Sequence, residues 1–358
     1  MRKSVIILLL VLLLTGQVHG LEGDPFGAEQ VRDALPETAA ELMEDCTAAD
    51  PGGLSDGVQS ILLGAMDQNR GAVQNAMALC CQILAIVLLS AVLRGTGGAM
   101  PDRAMALSAV LAVGLVCAGR ISGLFSLAAR TIDDMAAFAG FLFLSLASAT
   151  AATGAVGTSS SLYGGTVLLC SLMTRGTETL ILPGVSCYMA LTITDSALGD
   201  GGLKLAGDTL KQLLTSGLKL AVLAFTAYLS ITGVVSGSAD TATVKATKLA
   251  LSSAVPVVGS MIADASETLL VSAGLLRSSL GVFGLLGVLA VSAGPFMQTG
   301  CQYLMLKGTA AAAGIVGEKE LSGLISAMAG AMGLLAGLTG ACALMLMISC
   351  VCFMRAVP

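Results

Sequence analysis

Tryptophan is absent from these 358 residues, histidine occurs once, aromatics make up 4% and charged residues only 11%. Each scarcity removes a class of protein. Soluble domains carry about 25% charged residues, so a chain that is 55% hydrophobic with a mean hydropathy of +0.89 reads as a membrane protein. The single histidine, His19, falls in the leader described below, and no cysteine pair has CxxC spacing, so a metal centre lacks its usual ligands. No Walker-type phosphate loop occurs. Asp195 with Ala197-Leu198-Gly199-Asp200 approaches the Gly-x-Gly-Asp pattern of intramembrane aspartyl proteases, but alanine stands at the first glycine and two aspartates on one loop form no facing dyad. The expectation is a protein with no catalytic, metal-ligating or cofactor-binding residues, and no enzymatic activity.

Charge is also unevenly spread. Arg2 and Lys3, an apolar run from Val5 to Leu14, and Val18 and Gly20 before a cut read as a signal peptide over 1–20; an uncleaved anchor is the other reading. Residues 21–75 hold eleven acids against Arg32 and Arg70, a net charge of −9. This acidic extracytoplasmic segment repels nucleic acid and anionic lipid alike, so no nucleic-acid partner is expected. Its pattern predicts short amphipathic helices broken by Pro36 and closed at Asp50-Pro51-Gly52-Gly53.

Residues 76–358 read as a polytopic membrane domain of six to eight spans, with apolar stretches at 76–93, 104–119, 135–153, 162–174, 179–194, 217–235, 280–306 and 323–353. The short pair 162–174 and 179–194 reads as a re-entrant hairpin turned at Arg175 to Glu178. Export of the acidic segment makes the loop with Arg94 and Arg103 cytoplasmic. The fold class is therefore all-α, a multi-pass membrane helical bundle with a short exported N-terminal segment. Nine of the ten cysteines lie in or beside apolar stretches and act as small hydrophobes.

Polar features inside this region are few. Leu203 to Lys219 reads as a surface-lying amphipathic helix, either a linker or a coupling helix for a cytoplasmic partner. Asp133-Asp134 reads as a loop pair or a helix start. Gly281, Gly284 and Gly287, with Gly330, Gly333, Gly337 and Gly340, allow close helix approach, either within one bundle or in a homo-oligomer. The densest polar cluster lies at 245–277. Lys245, Lys248, Asp264 and Glu267 stand on helical spacing on either side of Pro256-Val257-Val258-Gly259. A chain reversed at Val257 and Val258 brings Lys248 to Glu267, a charged helical hairpin whose polar seam or conduit lining is these four residues. A solvated pair lying on the membrane surface is the competing reading. Gly294-Pro295 in an over-long stretch keeps a secondary transporter for a small solute as the alternative function.

Taken in order, Ser161-Leu162-Tyr163-Gly164, Lys245-x-x-Lys248, Pro256-Val257-Val258-Gly259, Ala263-Asp264-Ala265 with Glu267, and Leu275-Leu276-Arg277 resemble stage III sporulation protein AE of endospore-forming bacteria. The resemblance implies a membrane subunit of the mother cell–forespore channel or secretion-like complex required for endospore formation. It implies as partners the sibling stage III sporulation proteins AA to AH and, indirectly, stage II sporulation protein Q. It also implies a location in the mother-cell membrane surrounding the forespore, and supplies no cofactor and no catalytic residue.

Overall fold

A computed structural model of the chain describes residues 28–43, 54–95, 102–198, 201–254 and 259–355, with side chains placed except at 28, 54, 102, 233–273 and 276. The described residues are helical throughout apart from short turns, as an alanine- and leucine-rich chain with eight prolines favours. In chain order the helices are α1 Ala28–Asp33, α2 Glu37–Leu42, α3 Leu54–Gln68, α4 Arg70–Gly95, α5 Asp102–Ala152, α6 Val156–Gly176, α7 Leu182–Leu198, α8 Lys204–Ala254, α9 Gly259–Ile315 and α10 Lys319–Arg355.

These helices form six antiparallel rods. Helices α3 and α4 make one rod, because backbone bonds from Asn69 to Ala65 and from Val73 to Asn69, both 3.1 Å, carry the helix across the junction. Helices α6 and α7 make another, joined through a π-helical turn, Thr177–Ile181. The remaining rods are α5, α8, α9 and α10. Among the described residues, six helical stretches, one on each rod, are long and apolar enough to cross a membrane.

The apolar stretches read separately from the sequence therefore merge. The 104–119 and 135–153 runs lie on the single 51-residue helix α5, and 162–174 continues into 179–194 without reversing, so there is no hairpin at Arg175 to Glu178. Asp133 and Asp134 sit in mid-helix. At 1.5 Å per residue α5 is ~76 Å long, more than twice the ~30 Å hydrocarbon layer.

Contacts between rods fix their register. Gly284 and Gly287 of α9 lie against Leu142 and Phe138 of α5, Gly114 of α5 against Ile193 of α7, and Gly184 of α7 against Leu214 of α8. Ser159 donates to the Ala147 carbonyl at 2.6 Å and Tyr228 to the Ser161 carbonyl at 3.1 Å. Gly281 faces Met354, Gly340 faces Phe296 and Gly333 faces Tyr303. The sequence left these glycines divided between one bundle and an oligomer; in this structure the close approaches at 281, 284, 287, 333 and 340 are made within the chain.

The two ends differ. At one, the base, Arg103 donates to the Leu198 carbonyl at 3.3 Å, and Arg94 pairs at 3.2 Å with Glu318, which is 4% exposed in the α9–α10 turn. Gly317 takes φ +95° there, a conformation that glycine adopts without steric cost. The other end, the crown, holds the α5–α6 turn, the start of α3 and the end of α10. An even number of alternating rods puts Leu54 and Arg355 on the same side.

Two hydrophobic cores are stacked along the axis. The base core joins Leu79, Ile83 and Val87 of α4 to Val110, Val113 and Cys117 of α5, Val185 and Tyr188 of α7, Leu306 of α9 and Leu324 to Leu335 of α10. The crown core joins Ile61 and Ala65 of α3 to Phe138, Leu142 and Leu146 of α5, Leu162 and Leu169 of α6, Phe225 of α8, Phe283 of α9 and Phe353 of α10. Val31, Leu35, Ala39 and Met43 seat α1 and α2 on the crown core. Phe143 and Phe353 stack at 5.5 Å within it.

Candidate functional site

Between the two cores the bundle turns polar, and sequence breaks on three rods produce the change. Pro183 has no amide hydrogen to donate to the Thr179 carbonyl, and the preceding turn widens so that the Leu182 amide reaches the Thr177 carbonyl. Pro295 removes the same kind of bond inside α9, which nevertheless continues as helix. Asn69 marks the junction of α3 and α4, its Nδ2 donating at 2.7 Å to the Ala65 carbonyl. The register brings all three breaks to one height.

Buried polar side chains collect at that height. Gln298 Nε2 donates to Asn69 Oδ1 at 2.7 Å, and Asn69 is 4% exposed. Thr299 bonds the Pro295 carbonyl at 2.9 Å, Thr131 the Leu127 carbonyl at 2.8 Å and Thr339 the Leu335 carbonyl at 3.2 Å. Thr177 Oγ1 and Gln302 Nε2 are buried without a hydrogen-bond partner. Such groups are costly in an apolar interior unless satisfied, so this layer holds unused hydrogen-bonding capacity.

Outside the same layer runs a belt of exposed charge: Asp67 and Arg70 on the first rod, Arg130, Asp133 and Asp134 on α5, Arg175 and Glu178 around the π turn, and Lys219 on α8. Carried through the register, these lie within about two helical turns, ~11 Å, of one another along the axis. Arg70 and Asp67 pair at 2.8 Å but are 79% and 71% exposed, a solvated contact that contributes little.

A second polar feature lies at the base. Asp195, Lys204, Asp208, Lys211, Lys319 and Glu320 line a cavity of about 430 Å³ between α7, α8 and α10. Asp195 Oδ1 accepts from the Leu203 and Lys204 amides, each at 3.0 Å, and so caps the start of α8. Lys211 Nζ stands 5.9 Å over the Tyr188 ring. The 203–219 segment is thus the base part of the α8 rod, turning Lys204, Asp208 and Lys211 towards α7 and α10. The expected surface-lying helix is corrected: a 51-residue helix packed against α6, α7, α9 and α10 leaves no separate linker.

The four residues of the charged seam, Lys245, Lys248, Asp264 and Glu267, occur on the helical backbones of α8 and α9. Their side chains, and residues 255–258 between the helices, lie outside the described residues. Sequence reasoning did single out Gly294-Pro295, Arg175 to Glu178 and Asp133-Asp134, but as unrelated features; it missed Asn69, Gln298 and Gln302, because isolated amides in apolar runs carry no periodic signal.

Neither the search of curated proteins nor that of solved structures returns a match. The family model described as stage III sporulation protein AE matches residues 41–356, nearly the whole chain, from the end of α2 through all six rods. The chain belongs to the stage III sporulation protein AE family.

Proposed function

We propose that this stage III sporulation protein is a non-enzymatic membrane subunit of the channel or secretion-like complex joining the mother cell to the forespore. Family membership over residues 41–356 is the observation that carries the reading. Six membrane-length helices support a location in a membrane, which we take to be the mother-cell membrane surrounding the forespore. The partners in this reading are the sibling stage III proteins AA to AH and, indirectly, stage II sporulation protein Q.

The polar layer around Asn69, Gln298 and Gln302 favours a working role at mid-height, where tight apolar packing gives way to amides and widened backbone. An affinity-tagged chain purified from sporulating cells is expected to bring sibling stage III proteins with it, and its loss to arrest spore formation. Solute uptake by the purified chain alone in liposomes, without co-purifying siblings, would replace this reading with a secondary transporter.

A further inference from the structure

The bundle has two apolar bands and one belt of charge between them, and a bilayer has room for one band only. Exposed Arg130, Asp133, Asp134, Arg175 and Glu178 cannot lie in hydrocarbon without partners or water. Lipid must therefore end at the belt, on one side of it or the other.

The crown band is a poor match for lipid. Helices α1 and α2 lie against its core with Glu29, Asp33, Glu37 and Glu41 exposed, and Gln68 donates at 2.9 Å to Glu41, tying α2 to α3. Asp56 is exposed on α3 itself. A bilayer around the crown would have to enclose all five carboxylates.

The base band matches. Residues 71–93 of α4 hold no Asp, Glu, Lys or Arg over 23 positions, ~35 Å of helix. Residues 104–119 of α5 hold none over 16 positions, ~24 Å, and the exposed Arg120 and Lys307 stand near the outer edge of this band, where their long stems let the charges reach the headgroups. Both helices turn large apolar side chains outward, including Leu89 at 60% and Leu115 at 78% exposure. The charges that α8 brings to this height, Lys204, Asp208 and Lys211, line the base cavity. Arg94, Arg103, Lys204 and Lys319 gather at the end, where cytoplasmic headgroups favour cations.

We infer that the bilayer encloses only the base half, with the charged belt at its outer surface, so that the crown half stands in the aqueous space on the side of the exported segment. The ~76 Å length of α5 is then divided between lipid and water, and crown residues such as Phe141 and Leu168, 50% and 69% exposed, face water in the isolated chain. The inference rests on charge and length alone and stands apart from the assembly proposed above.

The absence of tryptophan supplies the test, since any single Trp is a background-free reporter. Full-length chains carrying Leu89→Trp or Leu115→Trp in the base, and Phe141→Trp or Leu168→Trp in the crown, are reconstituted into phosphatidylcholine vesicles with plain or dibrominated acyl chains. All four positions are on the outer surface, and two per band guard against a variant that fails to fold. The brominated lipid is expected to remove most of the emission from both base reporters and to leave both crown reporters within error of plain vesicles. Equal quenching of the two bands, quenching of the crown alone, or quenching of neither overturns the inference.

Discussion

Replacing Asn69 by alanine tests whether the mid-height layer is held by polar contacts or only by the apolar cores around it. Two hydrogen bonds are lost, the 2.7 Å bond from Gln298 and the 2.7 Å bond to the Ala65 carbonyl. At a net ~1 kcal/mol each they sum to ~2 kcal/mol. Opposing this, alanine is a better helix former than asparagine by up to ~0.7 kcal/mol at a position that joins two helices. Polar contacts dominate, leaving a net loss of ~1.3 kcal/mol, about a tenfold shift in the unfolding equilibrium. Reversible denaturation in mixed detergent micelles, followed by far-ultraviolet circular dichroism, measures it. Gln298→Leu completes a double-mutant cycle, and the double variant is expected to lose clearly less than the sum of the two single losses. Strict additivity, or an Asn69→Ala chain as stable as the parent, would refute the account, because the layer would then owe nothing to the amide pair.

Gly287→Leu drives a side chain into Phe138, where even a methyl group collides, and should cost ~1–3 kcal/mol in the same denaturation assay; Gly140→Ala, whose added methyl meets open space in mid-helix, should instead stabilise by ~0.5–1 kcal/mol. Glu318→Ala strands Arg94, which is one-third exposed, so the full buried-pair penalty is reduced and a loss of ~2 kcal/mol is expected, relieved when Arg94 is also made Met. Cys350, fully buried in the crown core, should resist maleimide in folded micellar protein, whereas exposed Cys81 and Cys187 should react; mass spectrometry of the labelled peptides reads the order, and reversal would contradict the packing. Joint replacement of Lys245, Lys248, Asp264 and Glu267 by uncharged residues should lower the yield of heat-resistant spores, and unchanged sporulation would end the case for a charged seam there.

Helix, membrane and family were legible in the residues themselves. Long runs such as 76–93 and 323–353 announce helices because lipid-length apolar segments must satisfy their backbone internally. The ordered motifs from Ser161 to Arg277 carried the family likeness. Other features were visible but misread. Arg175 to Glu178 reads as a turn because charge interrupts two short apolar runs, yet a π turn passes the interruption without reversing the chain. Asp133-Asp134 reads as a loop pair or a helix start for the same reason, although exposed carboxylates are tolerated in mid-helix.

What the sequence determined alone is therefore one-dimensional: how apolar each segment is, where prolines and charges interrupt it, and which family the order of its motifs resembles. Tertiary structure decided what stands beside what. Only the antiparallel register brings Asn69, Thr131, Thr177 and Gln298 to one height and stacks two cores on either side. Register is set by side-chain shape across helices, at contacts such as Gly284 with Leu142 and Gly287 with Phe138, and residues about 140 positions apart leave no periodic trace of such a fit in the chain.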